Sequence, residues 1–255
     1  MKIADVPGVI VAGITVDAGT VNSKALMEIG KKHTRHSSKA SSSSNPTTLS
    51  DVYFRVGGPH IGKTTTALVV NSDNVLIDHT WVWRADHGEE AFTAGVSGDT
   101  DRWKTNTAKN GVIVNGDNVT ATGFFVEHFQ GNNVIWNGNG GTVLLFQSEL
   151  AYDAPTQADW TQPDGTLGWA SYKVGSKVKT HHLYGGGAYV YQRNDPTIHT
   201  ENGFVVPKTS GVKLHHILTV NLDGGVLDHV VNGEGAAADM TKVGKRVYIT
   251  DYPST

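Results

Sequence analysis

The sequence predicts an all-β chain folded as a single-stranded parallel β-helix with long loop insertions. Three observations carry that expectation. Short bend motifs recur along the chain, each is followed by an apolar strand-like run, and helical periodicity is nearly absent. Composition agrees: 255 residues include 30 glycines and six tryptophans, charged residues are 18% and the formal charge is −3. Those values exclude an extended coiled coil and wholesale disorder. No run approaches the ~18 consecutive apolar residues of a membrane span, so no membrane partner is expected. A mildly acidic chain with one short basic stretch also argues against nucleic acid. Cysteine is absent, which removes disulfides, thiolate metal sites and thiol nucleophiles. Residues 1–8 hold no apolar signal-peptide core.

The repeats come in order. Val70-Asn71-Ser72-Asp73-Asn74-Val75 lies over Val114-Asn115-Gly116-Asp117-Asn118-Val119, and weaker copies begin at Val6, Trp136, Val174 and Thr209. The valine after each bend serves as a marker: Val9, Val52, Val75, Val119, Val143, Val178 and Val212, with steps of 43, 23, 44, 24, 35 and 34. The two shortest fit one solenoid turn, and the longer ones hold a turn plus an insertion. Bend asparagines and glycines tolerate a left-handed backbone, and asparagine amides are placed to ladder from turn to turn. Only Ser23–Ile29 is expected to form a short helix.

The whole chain, 1–255, reads as one domain. Residues 32–46, rich in serine with Lys32, Arg35 and Lys39, read as a flexible surface loop. Insertions 89–110 and 152–167 flank the same turns and are expected to wall a groove. Residues 241–255 are expected to cap the C-terminal end.

Two carboxylates stand out. Glu127 lies in Phe124-Phe125-Val126-Glu127-His128-Phe129 and Glu149 in Phe146-Gln147-Ser148-Glu149-Leu150, 22 residues later. One turn of separation places them roughly one strand spacing apart. Neighbouring carboxylates resist joint ionisation, which raises one pKa and makes a general acid usable near neutrality. The plainer alternative is a solvated outward pair, or a glutamate matched to an arginine. His181-His182 and His215-His216 are adjacent in strands, so neither pair chelates as a unit. His182 and His216 share an offset after Val178 and Val212 and are expected to stack, with a metal there as the weaker alternative. Trp81 and Trp83 share one strand face, either core or a sugar-stacking platform, with core favoured. Asp86 and His87, at that strand's exit, are candidates for substrate contact. No phosphate loop, HExxH or GxSxG is present, and no metal or other cofactor is expected.

Four collinear stretches then carry a resemblance. They are Asp51-Val52-Tyr53-Phe54-Arg55-Val56-Gly57-Gly58, Trp81-Val82-Trp83-Arg84-Ala85-Asp86-His87, Val126-Glu127-His128 and Gln147-Ser148-Glu149-Leu150-Ala151-Tyr152. In this order they resemble the family 55 glycoside hydrolases, the exo-β-1,3-glucanases. The chain also resembles secreted β-helix proteins labelled "coagulation factor 5/8 type domain" or "adenylyl cyclase", labels that say nothing about chemistry. The resemblance implies a right-handed, pectate-lyase-like β-helix, the second of a tandem pair with the active cleft between the two. It implies inverting hydrolysis of β-1,3-glucan with Glu149 as general acid and Glu127 tuning it or holding substrate. Gln147, Asp86, His87, His128, Tyr152 and Trp83 are then expected near the sugar. Adjacent carboxyls suit a retaining pair better than an inverting one, so Glu127 is not expected to be the inverting base, and no other base is identified.

The partner expected on this reading is a polysaccharide or oligosaccharide, with homo-oligomerisation or association with a missing N-terminal β-helix domain also expected. The chain would be secreted, in a trimmed or partial form. One alternative is a non-catalytic half-solenoid that binds carbohydrate or assembles with other chains. A third is a polysaccharide lyase using calcium held by Asp73, Asp78 and Asp117.

Overall fold

The computed structural model describes residues 1–31, 43–58, 60–86, 101–192 and 194–254. In chain order its strands begin with β1 (Lys2–Ile3), β2 (Ile10–Asp17), β3 (Ser23–Ile29), β4 (Thr47–Val56), β5 (Thr64–Val70) and β6 (Val75–Arg84). After a short helix, α1 (Asp101–Thr105), come β7 (Ala108–Val114), β8 (Thr120–Glu127), β9 (Val134–Trp136) and β10 (Gly141–Glu149). The chain continues with β11 (Tyr172–Val174), β12 (His181–Val190), β13 (His199–Val205), β14 (Val212–Asn221), β15 (Val226–Val231) and β16 (Arg246–Tyr252). Odd strands β1 to β15 form one parallel sheet, and even strands β2 to β14 form the other. Successive strands alternate between sheets, so each coil lies on the one before it, as in a parallel β-helix. β16 closes the even sheet by pairing antiparallel with β14.

The segment expected to be helical, Ser23–Ile29, is strand β3. Its Lys-Ala-Leu-Met-Glu favours helix locally, but pairing of Met27 with Leu68 and Ile29 with Val70 buries both side chains completely. Tertiary packing overrides that weak preference. Register also corrects the valine marker. Val75 pairs with Thr47, not Val52, and Val212 pairs with His181, not Val178. The shortest coil runs from Thr120 to its partner Thr142, 22 residues on. Of the expected insertions, residues 32–42 and 87–100 lie outside the described residues. Ala108–Asn110, expected as loop, open strand β7.

Every parallel strand of the even sheet turns a corner at one position. Gly13, Asp51, His79, Gly123, Leu145, Gly185 and His216 occupy the same column between paired neighbours, and all have φ between 50 and 72°. A left-handed residue shifts the in–out alternation, so two consecutive side chains face outward at the corner, as Leu144 and Leu145 do. Before the corner Leu49, Ile77, Ala121, Val143, Leu183 and Leu214 stack inward; after it Val52, Thr80, Phe124, Phe146 and Ile217 do. Each buried aliphatic of this kind contributes about 2 kcal/mol. The corner also explains the histidines. His181 points inward and donates to or accepts from the Tyr172 hydroxyl at 3.0 Å, while His182 stacks with Tyr184 and His215 rather than with His216.

The bend asparagines do ladder. Asn137 donates to Asn115 at 2.9 Å, Asn115 to Asn71 at 2.8 Å, and Asn71 to Glu28 at 3.0 Å. The carboxylate of Asp73 accepts from the backbone N–H of Asp117, and that of Asp117 from Asn139. Bend aspartates are thus occupied in capping the next coil, which explains them without calcium. Among the described residues no group of three or more acidic, histidine or cysteine side chains is placed to hold a metal.

One buried cation ties the coil ends together. Arg84, at the end of β6, is fully buried and uses all five N–H donors. It bonds Asp153 through two contacts of 2.8 and 2.7 Å and the carbonyls of Asn106, His128 and Arg102 at 2.7, 3.1 and 3.0 Å. The guanidinium also lies over the rings of Trp103 and Tyr152, 5.8 and 5.9 Å from their centroids. Trp103 in turn meets Trp160 edge-on at 6.3 Å, which joins the insertions following β6 and β10.

Two stability experiments test these features. Gly185→Ala is expected to cost about 1–2 kcal/mol through backbone strain alone, because a Cβ there meets nothing within 4 Å. A chemical-denaturation midpoint equal to the parent's would show that the corner needs no left-handed residue. Asp153→Ala leaves the Arg84 charge buried without its carboxylate and is expected to cost about 3–5 kcal/mol. A loss below about 1 kcal/mol in the same assay would show that the carbonyls alone satisfy the cation.

Candidate active site

Beyond the corner, the outer face of the even sheet presents two rows of side chains. In the first, Tyr53, Trp81, Phe125 and Gln147 stand side by side across four coils. In the second, Asp17, Arg55, Trp83 and Glu127 do the same. Glu149 follows Glu127 in that row, since it lies two residues past Gln147 just as Glu127 lies two past Phe125. It pairs with Tyr189 on its other side. Parallel neighbours are about 4.8 Å apart, so the two glutamates stand on adjacent coils as their 22-residue separation requires, and the charge of Glu149 acts on Glu127.

The tryptophans face outward, contrary to the favoured expectation of a core position. Trp81 is 38% exposed and stacks on Trp83 with centroids 4.9 Å apart and planes at 24°. Its indole N–H donates to Glu127 Oε2 at 2.7 Å. A groove of about 290 Å³ lies over Tyr53, His79, Trp81, Phe125, Glu127 and Gln147. It continues toward the N-terminal coils as a second hollow of about 490 Å³, lined by Tyr53, Arg55, His79, Trp81 and Trp83 among others. Asp17 fixes Arg55 there through bonds of 2.7 and 2.9 Å, and Asp51 fixes His79. An apolar aromatic wall beside a few oriented polar groups is the usual make-up of a small-ligand or sugar site.

The two glutamates sit in different surroundings. Glu127 is only 7% exposed, and burial raises its pKa above the usual carboxylate value. The charge of His128 and the hydrogen bonds from Trp81 and Gln147 pull it back in part, whereas the charge of Glu149 adds to the rise. The Glu149 side chain is 32% exposed and contacts His128, with Oε2 3.1 Å from Nε2. That imidazole is buried beneath Glu149, and its other nitrogen lies 3.2 Å from the Arg84 carbonyl.

The expected site residues therefore divide. Glu127, Glu149, Gln147 and Trp83 share the groove face. His128 and Tyr152, expected beside the sugar, are buried behind it. Tyr152 packs edge-on to the His128 ring at 5.0 Å, donates its hydroxyl to the Ala85 carbonyl at 3.0 Å, and carries the Arg102 guanidinium 5.1 Å from its ring. Asp86 is half-buried at the exit of β6, its carbonyl bonded by Arg102. His87 lies outside the described residues. Trp81, weighed as a stacking platform only as the alternative to core, completes the groove face together with Tyr53 and Phe125, which were not singled out as ligand contacts. Their signal in sequence was an aromatic at the same strand phase as Gln147.

The solved structures similar to this chain show the same architecture. Sequence and fold match sacteLam55A from Streptomyces sp. SirexAA-E at a TM-score of 0.89 and 45% identity, over 99% of this chain and 43% of that one. An ensemble refinement of a glutamate-to-alanine variant of the same protein, in complex with glucose, matches at 0.88 and 45% with the same coverage. An exo-β-1,3-glucanase from Streptomyces sp. (strain SirexAA-E / ActE) is 47% identical over 244 residues, 94% of this chain and 38% of that protein. The chain thus spans about two fifths of the length of the relatives it matches. The model of the LAM55 pectate lyase-like domain matches residues 1–149, which contain both glutamates and the whole groove face, and the chain belongs to that family.

Proposed function

We propose that this chain carries the acid centre of a β-1,3-glucan hydrolase. The observation that carries the reading is the carboxyl pair Glu127–Glu149 at the foot of the Trp81–Trp83 stack. A sugar ring lying on the aromatic face would bring a glycosidic oxygen to the exposed glutamate. Glu149 is the member with an accessible oxygen, and it protonates the leaving oxygen while the sugar passes through an oxocarbenium-like state. Glu127, buried and slow to ionise, keeps the pair from carrying two charges and orients Trp81. Gln147, between Phe125 and Gly187 in register, contacts the sugar; Trp83, and Asp86 with His87 near the β6 exit, extend that contact.

The similarity to an exo-β-1,3-glucanase and to a glucose complex supports β-1,3-glucan as the substrate. A polymer of that kind is met outside the cell, so we place the protein there. Backbones one strand spacing apart suit a closer carboxyl pair than an inverting enzyme uses, so on this reading Glu127 does not activate the attacking water. On this reading the groove is one wall of a cleft, and the water-activating group and second wall belong to a further β-helix domain of the kind the longer relatives have room for. A second reading follows from the same span: a half-cleft that binds glucan without cleaving it.

Incubation with laminarin separates these. Release of glucose or short oligosaccharides is expected, with a 10²–10⁴-fold loss of kcat in Glu149→Gln, the range a general acid supplies. Equal rates in variant and parent would sink the role of Glu149, and binding without turnover would establish the second reading. A pH series tests Glu127. Its raised carboxyl costs stability once the unfolded chain ionises, above the ordinary value of 4.5, and the cost is complete above the folded value. Glu127→Gln removes that cost. Its melting temperature should exceed the parent's by a margin that is absent below pH 4.5 and grows as pH rises; a margin that does not change with pH would refute this.

A further inference from the structure

His128 lies directly beneath the acid, in contact with it, and its neighbours bear on where its hydrogens sit. Nδ1 lies 3.2 Å from the Arg84 carbonyl oxygen, which only accepts, so Nδ1 carries a hydrogen. Nε2 lies 3.1 Å from Glu149 Oε2. With the acid proton on Oε1, Oε2 only accepts, and a neutral ring would aim a lone pair at it. With a hydrogen on both nitrogens, the ring donates to each neighbour at once.

The backbone is bent to place it. His128 has φ of 70°, while Arg84 and Leu150, at the matching position of the two adjacent coils, are not left-handed. A left-handed side chain other than glycine, away from the corner column, is strain held at a site by its surroundings. Here the backbone N–H of His128 donates to the Glu149 carbonyl at 2.9 Å, and its own carbonyl accepts from Arg84.

We propose that His128 is a positioning residue: a buried imidazolium that holds Glu149 Oε2 and faces the carboxylate left when Oε1 gives its proton to the leaving oxygen. The proposal rests on the hydrolase reading for the step it assists. In that step the Oε1–H proton goes to the glycosidic oxygen, the bond from that oxygen to the anomeric carbon breaks, and the leaving sugar departs as an alcohol; a water oxygen bonds the anomeric carbon and gives its proton to the base of the second wall. His128 keeps both its hydrogens throughout, so a cation already in place stabilises the new carboxylate without reorganisation.

The charges around the ring agree. Glu149 faces it from β10, Glu127 precedes it on β8, and Asp86 approaches from beyond β6. The Arg84 guanidinium is turned to Asp153, and the Arg102 guanidinium lies on the far ring, Tyr152. Burial alone pushes the imidazole down; the hydrogen bond and charge of Glu149, then Asp86 and Glu127, outweigh it and hold it above the ordinary 6.5.

Nitrogen-15 histidine NMR on the full chain tests this without substrate. His128→Gln identifies the signal by its loss. The parent's His128 should stay doubly protonated at pH 6.5 and lose at least tenfold in proton affinity in Glu149→Gln. A neutral ring at pH 6, or an unchanged midpoint in Glu149→Gln, would overturn the proposal. In laminarin turnover, His128→Gln should lower kcat at least tenfold with KM unchanged and move the alkaline limb of the pH profile, which reports loss of the Glu149 proton, to higher pH. An unaltered profile would leave the ring as packing only. A parent with no turnover sinks the hydrolase reading, while the NMR midpoint still decides the state of His128.

Discussion

Coil-to-coil register is the constraint from which the site follows. Backbone pairing locks each strand against the next at about 4.8 Å, so residues far apart in sequence stand in rows across the sheet. Trp83 pairs with Glu127 across 44 positions because β6 pairs with β8, whatever fills the insertion between them. The corner column keeps those rows coherent. Were one strand to lack its left-handed residue, its alternation would stay in the earlier phase, and every side chain beyond the corner would point to the wrong face. Leu145 bears the cost of φ 62° at a position where most neighbours are glycine, aspartate or histidine. The strand holds that conformation because Phe146 and Val143 are buried on either side of it.

The register sets the rows, and Arg84 fixes what lies behind them. A guanidinium without solvent is tolerable only when every donor finds an acceptor and its charge is matched. Arg84 meets both conditions by drawing on the start of the insertion loop after β10, the α1 region and the end of β8. In doing so it holds the His128 carbonyl, while its own carbonyl orients the His128 ring. One residue therefore sets both the backbone and the ring of the group under Glu149. Replacing such a cation by an apolar side chain could preserve stability, but it would leave the His128 carbonyl without a donor.

What was legible in sequence depended on whether an insertion intervened. The 22-residue coil from β8 to β10 has none, and the adjacency of Glu127 and Glu149 could be read from spacing alone. The asparagine ladder was readable for a similar reason, because Asn71, Asn115 and Asn137 each stand at a bend with the same local motif. The valine marker failed at Val52, since that residue lies beyond the corner while Val75 lies before it, and a one-dimensional period carries no sign of a mid-strand bend. The tryptophans were misjudged on the same account: hydrophobicity argued for core, yet the corner puts Trp81 and Trp83 in the outward phase. The burial of His128 and Tyr152 was hidden for a different reason. It depends on a left-handed turn after Glu127 and on the Arg84–Asp153 pair, whose members are 69 residues apart.

Environment then separates two chemically identical side chains. Glu127 is enclosed by the indole of Trp81 and by Gln147, donors too few to offset its lost solvation, and it resists ionisation. Glu149 reaches solvent on one side and a buried imidazole on the other. A single strand spacing thus spans a change from an apolar, donor-poor pocket to an accessible position backed by an imidazole. Such a pair can hold a proton and release it without both carboxyls being charged together. The aromatic wall acts on the same balance, because Trp81, stacked on Trp83 at the exposed face, also donates its N–H to Glu127. Ligand that shifts Trp81 would alter the proton affinity of its neighbour, which couples occupancy of the groove to the acidity of the pair.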